Sequence, residues 1–256
     1  MPFARIEAEK LSHAVIRQVE LLILRGVLRP GERLPAERDL AARLGVSRPS
    51  LRDAVADLQA RGLLITRAGA GVFVSDTLGS TFPAALAHLF AAHQEAMSDY
   101  IAFRRDMEGL AAERAARHGS DTDLAVIAAI LAKMETAHTK RNPEDEAALD
   151  AEFHLSIIEA GHNVVMLHMM RAMFGLLREG VFYNRAILFK QRTTREMLLG
   201  QHRNINAALQ ARDAVGARAA VEGHMNFVLG AFADHQLAEK HEAIARQRLD
   251  HESTRP

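Results

Sequence analysis

Residues 31–62 constrain the fold of this chain more than any other segment, because their pattern predicts two short helices joined by a tight turn. Apolar residues recur at helical spacing on both sides of the turn, as Leu40, Leu44, Leu51, Val55 and Leu58. The turn falls at residues 45–47, where Ser47 stands in position to cap the second helix and Pro49 lies in its first turn. The segment therefore predicts a helix-turn-helix.

The second of these helices carries polar donors at its front. Arg48, Ser50 and Arg52 occupy its first outward positions, directly after Ser47. In a DNA-reading helix-turn-helix, the N-terminal residues of the second helix enter the major groove, where arginine bonds a guanine edge or a phosphate. The alternative is an ordinary small helical domain whose arginines are only solvated.

Two short β-prone runs follow, at residues 63–67 and 72–74, and the residues between them have the composition of a hairpin turn. A two-stranded wing after a helix-turn-helix makes a winged helix, whose wing tip lies on the minor groove or the DNA backbone. Gly69 and Gly71 would let the main chain approach DNA closely. The order of helix, turn, helix and hairpin favours DNA reading over the alternative.

Residues 8–75 resemble the winged-helix domain of the GntR family of bacterial transcription regulators. The most specific marks are residues 28–38 (Leu-Arg-Pro-Gly-Glu-Arg-Leu-Pro-Ala-Glu-Arg) and residues 46–52 (Val-Ser-Arg-Pro-Ser-Leu-Arg). The resemblance implies that three arginines contact DNA, namely Arg38, Arg48 and Arg52.

The resemblance also implies a contact from the wing tip to the minor groove, at Gly69. Some relatives carry a histidine just before that glycine, whereas this chain has Ala68. Arg67 is therefore the candidate to replace that contact.

The charge distribution agrees with a DNA-binding head on a larger body. The whole chain has a formal net charge of zero, but residues 1–76 carry 12 Lys and Arg against 9 Asp and Glu, and residues 77–256 carry 20 against 23. A mildly basic module is what local contact with phosphates needs. At 256 residues the chain is long enough for two domains with proper cores.

The absence of cysteine excludes disulfides and thiolate metal sites, and it agrees with a reducing cytoplasm. The N-terminus lacks the apolar core of a signal peptide. The longest apolar stretch, residues 164–177, is too short to span a bilayer and contains Arg171. We therefore expect a cytoplasmic protein with no membrane insertion.

The remaining sequence predicts a mostly α protein with two domains. We expect the winged helix-turn-helix over residues 1–75, opened by a helix at 8–28, then a linker at 76–81. An all-α bundle of about seven helices follows over 82–248, and a frayed tail covers 249–256. The predicted bundle helices are 82–93, 96–118, 122–140, 144–160, 163–189, 193–211 and 213–247.

Four residues of this helical region have the pattern of a metal site. Asp150 and His154 lie four residues apart and so share one helix face, while His202 and His224 each interrupt the pattern of a later helix. One carboxylate and three imidazoles suit Zn²⁺ best, and also Ni²⁺ or Mn²⁺, with positions left for an exogenous ligand. The alternative from spacing alone is solvated histidines and an incidental ion pair.

Residues 82–240 resemble the FCD effector domain of the FadR branch of the GntR family. Metal-binding members carry Asp-x-x-x-His on one helix and a single histidine on each of two later helices. The resemblance implies that a divalent metal is held by Asp150, His154, His202 and His224.

The sequence Arg104-Arg-Asp-Met-Glu108 resembles the family's Arg-x-x-x-Glu signature, whose arginine points into the effector pocket. An arginine fork beside a metal is a good receptor for a carboxylate. The alternative is an exposed salt bridge between Arg104 and Glu108. Further candidates to line the pocket are Tyr183, Asn184 and Arg185.

These features predict a bacterial regulator, with repression the expected sign, that binds a palindromic operator as a homodimer. The resemblance implies a small 2-hydroxy or 2-oxo acid as effector, such as glycolate, lactate or a pyruvate-like acid. Two rival classes remain: a metal sensor, whose DNA release would follow metal concentration alone, and a His₃Asp metalloenzyme, which a turnover assay would reveal.

Overall fold

The structure is a computed structural model that describes residues 11–75, 86–87, 89–90, 93–178, 188–189 and 192–253. The chain divides into two compact units, residues 1–83 and 84–256. The division falls just after the predicted linker, which itself lies outside the described residues.

The first unit contains three helices and a hairpin. Its helices are α1 (Leu11–Leu24), α2 (Glu37–Leu44) and α3 (Arg48–Ala60), and its strands are β1 (Leu64–Arg67) and β2 (Gly71–Val74). The strands pair antiparallel, with Leu64 opposite Val74 at one end and Arg67 opposite Gly71 at the other. Its core is formed by buried apolar residues of all five elements, which confirms the predicted winged helix.

The turn between α2 and α3 forms as its sequence predicts. Gly45 adopts a left-handed conformation with φ of 65°, which glycine tolerates without steric cost. Ser47 then caps α3, because its Oγ accepts a hydrogen bond of 3.3 Å from the backbone N–H of Ser50. At the wing tip, Gly69 has φ of 71° and Gly71 has φ of 108°.

In the residues that the structure describes, the second unit consists of helices and the turns that connect them, with no strand. Its helices are α4 (Gln94–His118), α5 (Asp121–Lys140), α6 (Pro143–Ala160), α7 (Val164–Arg178), α8 (Arg192–Gln210) and α9 (Ala214–Ser253). A capping box of Ser120 and Asp123 begins α5, and the Asn142 side chain caps α6. The all-α region is thus confirmed, with six helices where about seven were predicted; the predicted helix at 82–93 lies largely outside the described residues.

Two helix bounds differ from prediction. Residues 188–189 form a turn, so the prediction of one continuous helix over 163–189 is wrong at that end. Leu188 and Phe189 are buried in the core, and buried turn residues give the same apolar signal as a helix face. In α9 the helix continues through residues 249–253, where a frayed tail was predicted.

The core of the second unit is formed by buried apolar residues of α4, α5, α6, α8 and α9. Its largest buried side chains include Phe153 on α6, Leu198 and Ile205 on α8, and Met225 on α9. Each of these four lies within four positions along its helix of a buried histidine. The helices that build the apolar core therefore also carry the imidazoles of the candidate site.

Candidate metal centre and nucleic-acid interface

The structure brings together the four residues of the predicted metal set. Asp150 and His154 come from α6, His202 from α8 and His224 from α9, and all four side chains are buried. One ligand atom from each lies within 4.8 Å of every other. We refer to these four residues as the His₃Asp cluster. Among the described residues, no other group of this kind forms.

The nitrogens of the three rings converge. Nε2 of His154 lies 3.2 Å from Nε2 of His224 and 3.4 Å from Nε2 of His202. Oδ1 of Asp150 is 3.1 Å from Nε2 of His202 and 3.7 Å from that of His154. Four potential ligand atoms thus surround one point.

Polar contacts on the far side of two rings orient the rings toward this point. Nδ1 of His154 lies 2.6 Å from Oε2 of Glu108, and Nδ1 of His224 lies 2.9 Å from Oε1 of Gln201. Both oxygens can only accept, so these contacts favour a proton on each Nδ1 and leave each Nε2 facing inward as a potential metal ligand atom. A ligating histidine that donates its other nitrogen to a carboxylate is a common feature of metal sites. The donor set and its outer contacts therefore fit a divalent cation.

The electrostatics of the cluster also suit a cation. Burial lowers the pKa of His224 well below 6.5, and the neighbouring His202 and His154 lower it further, so this ring is neutral. Burial alone would lower the pKa of His154 as well, but the carboxylates of Glu108 and Asp150 outweigh it and raise that pKa. A metal ion would therefore displace a proton from His154 when it binds.

Glu108 connects the cluster to Arg104. Oε1 of Glu108 accepts a 2.6 Å hydrogen bond from Nε of Arg104, and both side chains are 2% exposed. Burial acts to raise the pKa of Glu108, but Arg104 and His154 together lower it to about 2. The Arg104–Glu108 pair thus exists, but it is buried and not the exposed salt bridge that the sequence left as an alternative. Its contact with His154 was missed, because spacing along α4 carries no information about α6.

Aromatic rings enclose the Arg104 guanidinium. Its Cζ lies 4.9 Å from the ring centre of Phe174 and 5.9 Å from that of Tyr100. Arg104 is thus a buried cation close to the His₃Asp cluster. The other predicted effector residues, Tyr183, Asn184 and Arg185, lie outside the described residues.

A second buried arginine lies on another side of the cluster and was not predicted from the sequence. Arg195 donates from Nε and Nη2 to the Glu146 carboxylate at 2.6–3.1 Å, and from Nη2 to the His138 carbonyl at 2.7 Å. Arg195, Glu146 and His202 line a small cavity of about 10 Å³, room for one water molecule. The position of Glu146, one helical turn before Asp150, is the one signal that could have found this pair.

A larger groove of about 540 Å³, between α5 and α6, contains no residue of the cluster.

The predicted DNA-reading residues lie on the exposed side of the winged helix. Arg48 and Arg52 project from the first turns of α3, with side chains 56% and 62% exposed. Arg38 on α2 is more exposed still, and Ser47 and Ser50 share a 2.9 Å hydrogen bond at the start of α3. Arg48, Ser50 and Arg52 thus lie in the first turns of α3, Ser47 caps that helix, and Arg38 lies on α2.

Two contacts on this surface were not predicted. The carboxylate of Glu37, the first residue of α2, accepts from Nε of Arg48 at 2.7 Å and from Nε of Arg52 at 2.9 Å. On the wing, Cζ of Arg67 lies 4.5 Å from the ring centre of Phe73 on the paired strand, so the guanidinium packs on an aromatic ring of the hairpin.

Comparison with known proteins follows the same division of the chain. The profile of the bacterial regulatory proteins of the gntR family matches residues 11–74, and that of the FCD domain matches residues 99–227. The "Putative L-lactate dehydrogenase operon regulatory protein" of Escherichia coli K12 is 35% identical over 223 residues, 86% of this chain and 85% of that protein. The chain belongs to the GntR family.

Two further relatives are also regulators. The Glc operon transcriptional activator of E. coli K12 is 33% identical, over 92% of this chain and 94% of its own. The HTH-type transcriptional regulator LutR of Bacillus subtilis is 28% identical, over 81% of this chain and 94% of its own. The prediction of a DNA-binding transcription regulator, and not an enzyme, is thereby confirmed.

Within the described residues, no helix combines the length and the apolar character needed to cross a bilayer.

Proposed function

We propose that this GntR-family regulator binds a palindromic operator as a homodimer and responds to a small 2-hydroxy or 2-oxo acid at a metal in its FCD domain. The observation that carries the proposal is the buried His₃Asp cluster with Arg104 beside it. An acid of this class presents a carboxylate and an α-oxygen, which together can chelate one metal ion. A regulator that reads chromosomal DNA would act in the cytoplasm.

The metal would be held by Asp150, His154, His202 and His224, with zinc as the first candidate and nickel or manganese as the others. When bound, the ion supplies a Lewis acid for the acid's oxygens. Glu108 holds the ring of His154 in place from behind. Elemental analysis of the purified protein tests this role: we expect close to one divalent ion per chain, and its loss in His202→Ala and His224→Ala.

The effector class is supported by the relatives and by the charge of the site. The names of two relatives refer to the L-lactate dehydrogenase and Glc operons. Arg104 is a buried cation that contacts Glu108 behind His154, and its guanidinium is the group that we propose to bind the carboxylate of the acid. We place a hydroxy acid, such as glycolate or lactate, before a pyruvate-like acid.

The DNA contacts would come from Arg38, Ser47, Arg48, Ser50 and Arg52, with Arg67 and Gly69 at the wing tip. The proposal is supported by the exposure of Arg38, Arg48 and Arg52 on the helix-turn-helix, in which α3 is the second helix. The test is fluorescence anisotropy on a duplex carrying the family-like palindrome TGGT-NNN-ACCA and on a scrambled duplex. Equal affinity for both, within a few-fold at physiological salt, would refute operator reading.

Repression is the sign we propose. The relative named as an activator of the Glc operon makes activation the second candidate. A reporter gene behind the operator distinguishes them, since deletion of a repressor raises expression and deletion of an activator lowers it.

A metal sensor is the second candidate function, and the four protein ligands favour it, because they can satisfy a tetrahedral cation without an added acid. Operator release that follows metal concentration in the absence of any acid would support it. Release that requires the acid at constant metal would support the first proposal.

A further inference from the structure

Glu37 occupies a distinctive position on the DNA-reading surface. Its Oε1 accepts from Nε of Arg48 and its Oε2 from Nε of Arg52, so one carboxylate joins two arginines that lie one turn apart on α3. Glu37 belongs to α2 and is its first residue. The contact therefore crosses the turn of the helix-turn-helix.

Which guanidinium nitrogen bonds Glu37 determines how many donors each arginine keeps for DNA. Each uses Nε toward Glu37, and the described residues give the terminal Nη groups of Arg48 and Arg52 no other partner. A guanidinium reads guanine O6 and N7 with two parallel donors, and it carries five N–H donors in all. Bonding at Nε therefore leaves donors for a base while it restricts the rotation of the side chain.

We propose that Glu37 is a positioning residue that aims Arg48 and Arg52 at the bases and so sets the sequence specificity of the regulator. The inference rests on the proposed DNA contacts of those two arginines. Free arginine side chains on a surface have many rotamers, and ordering them on binding costs conformational entropy. Because Glu37 already restricts both arginine side chains in the free protein, less conformational entropy is lost when DNA binds.

The same carboxylate acts against non-specific binding. Hydrogen bonds from Arg52 and Arg48 lower the pKa of Glu37, which keeps the group ionised. A negative charge at this surface repels phosphates and cancels part of the positive charge that drives sequence-independent affinity. Loss of Glu37 should therefore weaken operator binding and strengthen, or leave unchanged, binding to other DNA. A residue needed only for folding would weaken both.

The test uses full-length Glu37→Gln and Glu37→Asp beside a charge-matched control. Asp53→Asn removes the same charge from α3, and Asp53 is exposed with no hydrogen-bond or ion-pair partner in the part of the chain that the structure describes. Anisotropy at fixed salt measures the dissociation constants for the palindromic and scrambled duplexes. The ¹⁵N signals of the arginine Nε–Hε groups report the contact itself in free protein.

In Glu37→Gln we expect the ratio of scrambled to operator dissociation constants to fall at least tenfold, with scrambled binding equal or tighter. Glu37→Asp, which keeps the charge but shortens the reach, should fall between it and wild type, and Asp53→Asn should keep the wild-type ratio. The Nε–Hε signals of Arg48 and Arg52 should shift in Glu37→Gln and not in Asp53→Asn.

The proposal would be overturned if Glu37→Gln kept the wild-type ratio of dissociation constants, or if Asp53→Asn lowered that ratio as much as Glu37→Gln does. Either result would leave the proposed operator binding of the wild-type protein unaffected. Wild-type protein that fails to prefer the operator would refute the proposed function instead, and base positioning with it. Unshifted Nε–Hε signals in Glu37→Gln would overturn the contact even where DNA binding is lost.

Discussion

Replacement of Glu108 by glutamine tests how the buried charges support the candidate metal centre. Glu108 is 2% exposed; its Oε1 accepts a 2.6 Å hydrogen bond from Nε of Arg104, and its Oε2 lies 2.6 Å from Nδ1 of His154. Glutamine has the same shape and can still accept from one neighbour, but it carries no charge. The substitution thus removes the charge of Glu108 with little change in packing.

Two effects of different size follow. Arg104 is left as a buried cation without its partner, which costs about 3–5 kcal/mol of folding free energy when one member of a buried pair is removed. His154 loses the carboxylate that orients it, and loss of such an outer contact weakens metal binding by about 10–100-fold, or roughly 1.4–2.8 kcal/mol.

The double variant Arg104→Met with Glu108→Gln separates these effects. Replacing both members of a buried ion pair is far less costly than removing one, so the double variant should recover much of the stability that Glu108→Gln loses. Metal affinity should stay low, because the carboxylate behind His154 is still absent.

Stability is measured by urea unfolding of metal-stripped protein, followed by circular dichroism, so that bound metal does not add to the result. Metal affinity is measured separately by competition with a chromophoric chelator. Wild-type metal affinity in Glu108→Gln would refute the role of Glu108 behind His154. Recovery of metal affinity in the double variant would show that instability alone explained the loss.

Three further predictions follow from the structure. Arg52→Ala should weaken operator binding by about 5–150-fold if the lost contact is to a base. If the lost contact is to a phosphate, affinity for all DNA sequences should fall alike and the slope of log affinity against log salt concentration should decrease by about one, which anisotropy across a salt series would reveal. Arg104→Ala should keep operator affinity but lose the response to acid, and Arg104→Lys should restore little of it, since a point charge does not reproduce the fork; release at the wild-type acid concentration would contradict this. Burial acts to raise the pKa of Asp123, but hydrogen bonds from Ser120 and His162 outweigh it and lower that pKa, so the ionised carboxylate stabilises the fold above the unfolded pKa of about 3.9. This stabilisation is lost as pH falls through the lower folded pKa, so the difference in free energy of unfolding between wild type and Asp123→Ala, measured in urea, should shrink in that acidic range. A difference that does not change with pH would be evidence against this prediction.

Local signals predicted much of the fold, because they act within a few residues. The left-handed conformation of Gly45 follows from backbone sterics, and the cap at Ser47 follows from one local hydrogen bond. Both depend only on the residue type and its neighbours, so the sequence alone predicts them. The turn at residues 188–189 could not be predicted in this way, since burial of an apolar run does not reveal whether the run is helical.

The candidate site was predictable only as far as spacing and resemblance reach. Asp150 and His154 share a helix face by their spacing, whereas resemblance supplied the set that includes His202 and His224. The contacts of Glu108 with His154 and of Arg195 with Glu146 join different helices, and no periodicity along one helix encodes them. Such partners depend on how the helices pack, which the chain determines only through its whole core.

Operator binding of metal-loaded wild-type protein, titrated with glycolate, lactate and pyruvate, tests the central proposal most directly. The proposal predicts that at least one acid changes the affinity for the TGGT-NNN-ACCA duplex, and that the change disappears in His202→Ala and His224→Ala and after chelation. An operator affinity that no acid alters in the metal-loaded protein, or an acid response that persists unchanged after the metal is removed, would contradict it.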